Sequence, residues 1–244
     1  MTSAPGITLH GTCTMAGLPL FGPLTLEVPG AQWTCLLGRS GVGKSTVLRL
    51  ILDLPTGAEF AGAIASSDGS ALAGRVSYMA QTDLLLPWLD VLGNVVLGAR
   101  LRGAVPDLDR ANALLDQVGL AAHRHKRPGA LSGGMRQRAA LARTLMEDTP
   151  VVLLDEPFSA LDASTRADMQ DLAADVLTGR TVLMVTHDPT EAARLGHRIV
   201  VMSPSEATVW PVPDTAPVRK HDAPDTLACQ AALLDHLRDR SPVI

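Results

Sequence analysis

Gly38-Arg39-Ser40-Gly41-Val42-Gly43-Lys44-Ser45-Thr46 is the stretch on which the reading of this chain turns. It fits the G-x-x-x-x-G-K-S pattern of a phosphate loop. Glycines let successive backbone N–H groups turn inward around phosphate oxygens with no side chain in the way. A helix that follows directly aims its positive end at the same place. Lys44 is expected to reach the β- and γ-phosphates of a nucleoside triphosphate, and the Ser45 hydroxyl to ligand Mg²⁺. Only Lys44, Lys126 and Lys220 are lysines, so one at the required spot is not a product of abundance. The bland alternative is a chance glycine loop before a helix. The flanks argue against it: residues 33–37 form a short apolar run that feeds the loop, and residues 44–53 read as a helix ending near Pro55 and Gly57.

Outward from that loop, the pattern continues in kind. Residues 7–13 alternate as a half-buried strand does, and Leu24, Leu26 and Val28 alternate again before Pro29-Gly30 turns the chain. Residues 75–79 read as another strand, ending at Gln81. From about 91 to 146 the pattern is helical, with Leu108, Ala111, Leu115 and Val118 on one face. Residues 151–154 are a fully apolar strand of the buried parallel kind, then a helix carries Met169, Leu172 and Val176, and strands follow at 181–185 and 199–202. Beyond Met202, five prolines punctuate a polar stretch, and an amphipathic helix with Leu227, Ala231, Leu234 and Leu237 is expected to close the chain. Strands alternating with helices predict an α/β fold on a parallel core. The expected organisation is one domain over 7–202, with a helical subdomain inserted at about 83–148, and a Pro-rich extension at 203–244.

With 244 residues, the chain is long enough for one well-buried domain. A net charge of −4 provides no basic field for nucleic acid, and no nucleic-acid partner is expected. Cys13, Cys35 and Cys229 are far apart, without C-x-x-C or metal-like spacing, and read as reduced cysteines. No secretory signal is apparent, and no apolar stretch approaches the ~20 residues that span a bilayer. A soluble, cytoplasmic chain is therefore expected, one that meets a membrane only by docking onto a protein that spans it.

The remaining chemistry falls at strand ends. Asp155 and Glu156 close the 151–154 strand, which puts them at the carboxyl edge of a parallel sheet, where ligands of such folds bind. Asp155 is expected to hold Mg²⁺ and Glu156 to act as general base on the attacking water; a helix N-cap is the local alternative. His187 follows the 181–185 strand onto the same edge, where an imidazole can bond the γ-phosphate and orient water. Gln81 likewise follows a strand, and its amide can ligand Mg²⁺ and sense the γ-phosphate. Ser132, Gly133, Gly134 and Met135 open a helix with bare N–H groups, a second anion site in a chain that already has one. A second site makes sense if it binds nucleotide held by another subunit.

Taken in order, these motifs (G-R-S-G-V-G-K-S-T, A-Q-T-D-L-L-L-P-W, L-S-G-G-M-R-Q-R, V-V-L-L-D-E-P-F-S-A-L-D and T-H-D) resemble the ATP-binding-cassette (ABC) ATPases up to the low 200s. The resemblance implies a P-loop NTPase core with an antiparallel β subdomain and an inserted helical subdomain. It also implies ATP and Mg²⁺ as ligands and hydrolysis as the reaction. It makes Ser132–Met135 the signature that contacts ATP across a head-to-tail homodimer, and Asp162 a partner contact. Three departures stand out: Met135 replaces the usual glutamine, Arg39 occupies a common proline position, and no aromatic lies near residues 13–17 to stack on adenine.

A single cassette without membrane helices resembles the bacterial importer type. The Leu-Pro-Trp segment at 86–88 resembles the nitrate, sulfonate and taurine importer group. That group includes importers of a hydroxymethylpyrimidine thiamine precursor, which the chain also resembles. There the region 81–91 would receive the coupling helix of an integral permease, although the same apolar cluster can be core. A solute-binding protein is implied indirectly, and the chain would lie on the inner face of the cell membrane. The alternatives are a cytosolic, non-transport ABC ATPase and the cassette subunit of an exporter.

Overall fold

The computed structural model describes residues 4–239. Strands β1 (Ile7–Met15) and β2 (Leu18–Val28) form an antiparallel pair in which Ile7, Leu9, Leu24, Leu26 and Val28 all turn to one side. Next come β3 (Trp33–Gly38), buried at every residue, and α1 (Lys44–Ile51). Strand β4 (Ala58–Ser66) returns to the other edge of β1. The result is a three-stranded antiparallel sheet in the order β2-β1-β4.

After β5 (Val76–Met79) the chain becomes helical, through α2 (Val91–Val95), α3 (Leu97–Leu101), α4 (Leu108–Gln117) and α5 (Gly133–Met146). It then alternates through β6 (Val151–Asp155), α6 (Ala163–Val176), β7 (Thr181–Val185), α7 (Pro189–Leu195) and β8 (Arg198–Met202). Strand β9 (Ala207–Trp210) and α8 (Pro224–Asp239) complete the described chain. The second sheet runs β5-β6-β7-β3-β8-β9, parallel except for β9.

The inner strands β3, β6 and β7 of that sheet are buried at every residue, which is why they are nearly continuous apolar runs. Cys35, Leu37, Val152, Leu154, Val182 and Met184 face the helices. Their alternating neighbours Leu36, Val151, Leu153, Leu183 and Val185 face α1 and the antiparallel sheet. Each such side chain contributes about 1.5–3 kcal/mol on leaving water, and the buried polar residues of the sheet are few: Thr34, Ser77, Asp155 and Thr181. No described helix is long and apolar enough to cross a membrane.

The structure corrects several expectations. Leu108, the first residue of α4, is 48% exposed, and Leu114 takes its place beside Ala111, Leu115 and Val118 in the core. The expected inner face of α8 is mostly turned outward: Leu227, Ala231 and Leu234 are exposed and only Leu237 packs against the core, while Thr226 and Leu233 are buried. The reason is what α8 meets. It packs against α7, and Thr226 and Leu233 face the body of the protein. The sequence reading also missed β4 and β9. The first, Ala-Glu-Phe-Ala-Gly-Ala-Ile-Ala-Ser, has too few large apolar residues to show a period; the second is four residues among prolines. Both form because β1 and β8 offer unpaired edges to them.

Candidate functional site

Four strand ends converge. Parallel register sets Leu36 beside Val185, Val185 beside Asp155, and Leu154 beside Met79. The residues that follow β3, β5, β6 and β7 therefore emerge at one edge of the sheet, the carboxyl edge on which ligands of such folds bind. These are the glycine loop, Gln81, Glu156 and His187.

The loop wraps Lys44. Its ammonium donates to the Gly38 carbonyl at 2.8 Å and the Arg39 carbonyl at 3.0 Å, spanning the loop from inside. Burial pulls the Lys44 ammonium below the usual lysine range, while the carboxylates of Glu156 and Asp155 oppose that pull. Gly43 has φ +101°, and a Cβ there would lie 2.8 Å from the ring of Phe21, so only glycine fits. Val42 turns into the core. Ser40, Gly41, Gly43, Lys44, Ser45 and Thr46 line a cavity of about 520 Å³, whose opposite walls are Gln81, Glu156 and His187. Its remaining side is apolar, made by Met15 and Leu20. Sequence reasoning missed both: neither is aromatic, and only the β1–β2 turn brings them to the loop.

The carboxylates divide by environment. Asp155 is buried and accepts from Ser45 Oγ on Oδ1 and from Tyr78 Oη on Oδ2, both at 3.1 Å. Burial raises its pKa, and those two hydrogen bonds work against the rise. Tyr78 was not among the expected site residues; it is the third residue of β5 and reaches across from the neighbouring strand. Glu156 has a left-handed φ of 46°, a conformation that costs a non-glycine residue energy and recurs at active sites. Its N–H bonds the Val185 carbonyl at 2.9 Å. Its Oε2 receives Gln81 Nε2 at 3.0 Å and lies 3.1 Å from His187 Nδ1. The helix-cap alternative falls elsewhere: Asp162, exposed, caps α6 by accepting from the Thr165 N–H at 3.1 Å.

Ser132 caps α5 as expected, accepting from the Met135 N–H at 3.3 Å. None of residues 132–135 lines the cavity of Lys44. Helix α5 is instead fastened to the chain after Gln81. Arg136 pairs with Asp83 at 3.0 Å, and Arg143 donates to the carbonyls of Asp83 and Leu84 at 2.7 and 2.8 Å. Buried Asn94 holds the following turn by bonding the Leu86 N–H and the carbonyls of Leu86 and Asp90. A second cavity, of about 570 Å³, adjoins the first and shares Ser45 and Gln81 with it. Leu85 is buried, but Leu84, which lines that cavity, and Trp88 further along the segment are 60% and 66% exposed.

Comparison with known proteins decides the family. Residues 21–159 match the model of the ABC transporter family. The chain belongs to that family. This ABC protein is 47% identical over 192 residues to an uncharacterised ABC transporter ATP-binding protein of Haemophilus influenzae, covering 78% of each chain. It is 46% identical over 195 residues to an aliphatic sulfonates import ATP-binding protein of Agrobacterium fabrum, covering 78% of this chain and 73% of the relative. With the protein of that description from Delftia acidovorans it shares 40% over 238 residues, 96% of this chain and 95% of the other. The expected ABC ATPase fold and ATP-binding class are thereby established.

Proposed function

We propose that this chain is the ATP-hydrolysing subunit of a bacterial importer, which energises uptake of a small solute through a separate integral permease. One observation carries the reading: relatives named as import ATP-binding proteins align over nearly the whole chain, the phosphate cavity and the exposed groove beside it included. The names of these relatives support an aliphatic sulfonate as the solute class.

The loop's N–H groups and Lys44 bind the phosphates, and the base packs against Met15 and Leu20, a thioether and an alkyl chain instead of a ring. The donors Ser45, Gln81 and Asp155 are hard oxygens near one another, few enough to suit a cation that keeps substrate and water ligands. Mg²⁺ held there would offset charge on the β- and γ-phosphates. Glu156 accepts the proton of the attacking water, and His187 orients the γ-phosphate beside it.

Ser132, Gly133, Gly134 and Met135 contact the ATP of a second copy, with Asp162 at the same junction. Local packing supports this division. A Cβ on Gly134 would strike Thr165 at 2.5 Å, whereas one on Gly133 would meet nothing within 4 Å. Among the described residues no contact requires Gly133 to be bare, which leaves the approach to its backbone open to an anion from outside. The permease's coupling helix docks on the groove at residues 81–91, against Leu84 and Trp88. The chain thus works at the inner face of the membrane, and a solute-binding protein delivers cargo on the far side.

Affinity capture of the tagged chain from mildly solubilised membranes tests this. An integral permease is expected to co-purify, and to be lost from a Leu84→Ala/Trp88→Ala variant that still binds ATP. Recovery of a soluble complex with no membrane protein would overturn the importer reading.

A further inference from the structure

His187 rides on a three-residue loop between β7 and α7, and its side chain is 55% exposed. Packing therefore does little to hold the ring; the backbone of Thr186, His187 and Asp188 sets where it goes. Beneath that loop lies Glu191, a carboxyl only 3% exposed and with no part in the proposed hydrolysis.

The hydrogen bonds fix how the two connect. The Asp188 N–H donates to Thr186 Oγ1 at 3.0 Å, so the hydroxyl's single proton is free to point the other way. It goes to Glu191 Oε2 at 2.5 Å, the short end of the range for a hydroxyl on a carboxylate. Both neighbours of His187 are thus tied to one carboxyl. The Thr186 N–H bonds the Leu36 carbonyl at 3.2 Å, which joins the loop to the strand that carries the phosphate loop. On the outer side, Asp188 accepts from the Thr190 N–H at 2.8 Å and pairs with Arg166 at 3.3 Å.

We propose that Glu191 is a positioning residue for His187, holding the β7–α7 loop through the Thr186 hydroxyl so that the imidazole meets Glu156. A glutamine could accept the same bond without a buried charge. The carboxyl is costly here: burial pushes it up to about 7, Asp188 adds to the rise, and Thr186, Arg166 and His187 oppose it. The ionisable groups around it are Arg166 from α6, Asp188 and His187 from the loop, and the Cys35 thiol of β3, which burial keeps protonated.

The inference rests on the proposed role of His187 in hydrolysis, and its test separates the two. Steady-state ATPase kinetics, equilibrium ATP binding and amide exchange at Asp188 are measured on the full chain and its variants. Glu191→Ala and Thr186→Val should each lower kcat by about tenfold or more with KM for ATP and ATP affinity within about twofold, because the loop shifts while the phosphate loop does not. Exchange at Asp188 should quicken in both. Glu191→Gln, which keeps an acceptor oxygen, should restore kcat to within about threefold of the parent. The double variant should be no slower than the worse single one, since both break one connection. Multiplying losses, or a Glu191→Ala chain that loses ATP affinity as much as turnover, would overturn the inference, as would unchanged kcat. A parent chain that binds ATP but does not hydrolyse it would overturn the proposed function as well.

Discussion

Gln81 and His187 converge on a single atom, Glu156 Oε2, at 3.0 and 3.1 Å. They arrive from the ends of β5 and β7, strands that flank β6 on either side. One carboxylate oxygen is therefore held by two side chains that can also face a γ-phosphate. Any substrate that draws either away changes how Glu156 is held.

Glu156→Gln should keep this arrangement, since an amide oxygen still accepts from Gln81, but cannot take a proton. Turnover should fall about 10²–10⁴-fold with ATP affinity retained. Light scattering in Mg²⁺ and ATP should then find a trapped dimer; a monomer under those conditions would count heavily against the composite site.

Met15→Tyr would place a ring on the apolar wall opposite the phosphate loop. Stacking worth about 0.5–1.5 kcal/mol should tighten ATP about two- to tenfold by calorimetry, with kcat little changed. GTP should tighten similarly, because stacking does not read the base edge. No gain for either nucleotide would show that the base lies elsewhere.

Arg219 holds the Pro-rich segment to the core. Its buried guanidinium donates to the carbonyls of Ala193 and Gly196 at 2.8 Å, Thr215 at 2.7 Å and Pro213 at 3.2 Å. Arg219→Ala leaves these acceptors without their donor and should cost about 3 kcal/mol or more in urea unfolding.

Glu191 predicts a pH trend of definite sign. Its folded pKa is raised from 4.5 to about 7, so between those values the folded chain keeps a proton that the unfolded chain has lost. Its contribution to stability therefore falls as pH rises through that window, by about 3 kcal/mol in all. Glu191→Gln lacks the slope, and its melting temperature relative to the parent should rise from pH 5 to pH 8. A constant gap would mean that the carboxyl titrates normally.

The sequence by itself determined the parallel core and the placement of its chemistry. Short, mostly apolar runs ending at Gly38, Asp155 and Val185, each followed by turn or helix signals, suit strands buried on both faces, and chain polarity then sends the next residues to the carboxyl edge. Lys44, Gln81, Glu156 and His187 were legible for that reason. Tertiary structure alone decided what depends on contacts between distant segments. The β1–β2 turn brings Met15 to the phosphate cavity, and Tyr78 reaches Asp155 from the adjacent strand. The face that α8 buries was set by α7, because a short amphipathic helix offers more than one apolar stripe and its neighbour selects among them. Glu191 was invisible in the sequence, since an acidic residue in the first turn of a helix is ordinarily exposed. Only the packing around Thr186 reveals that this one is buried.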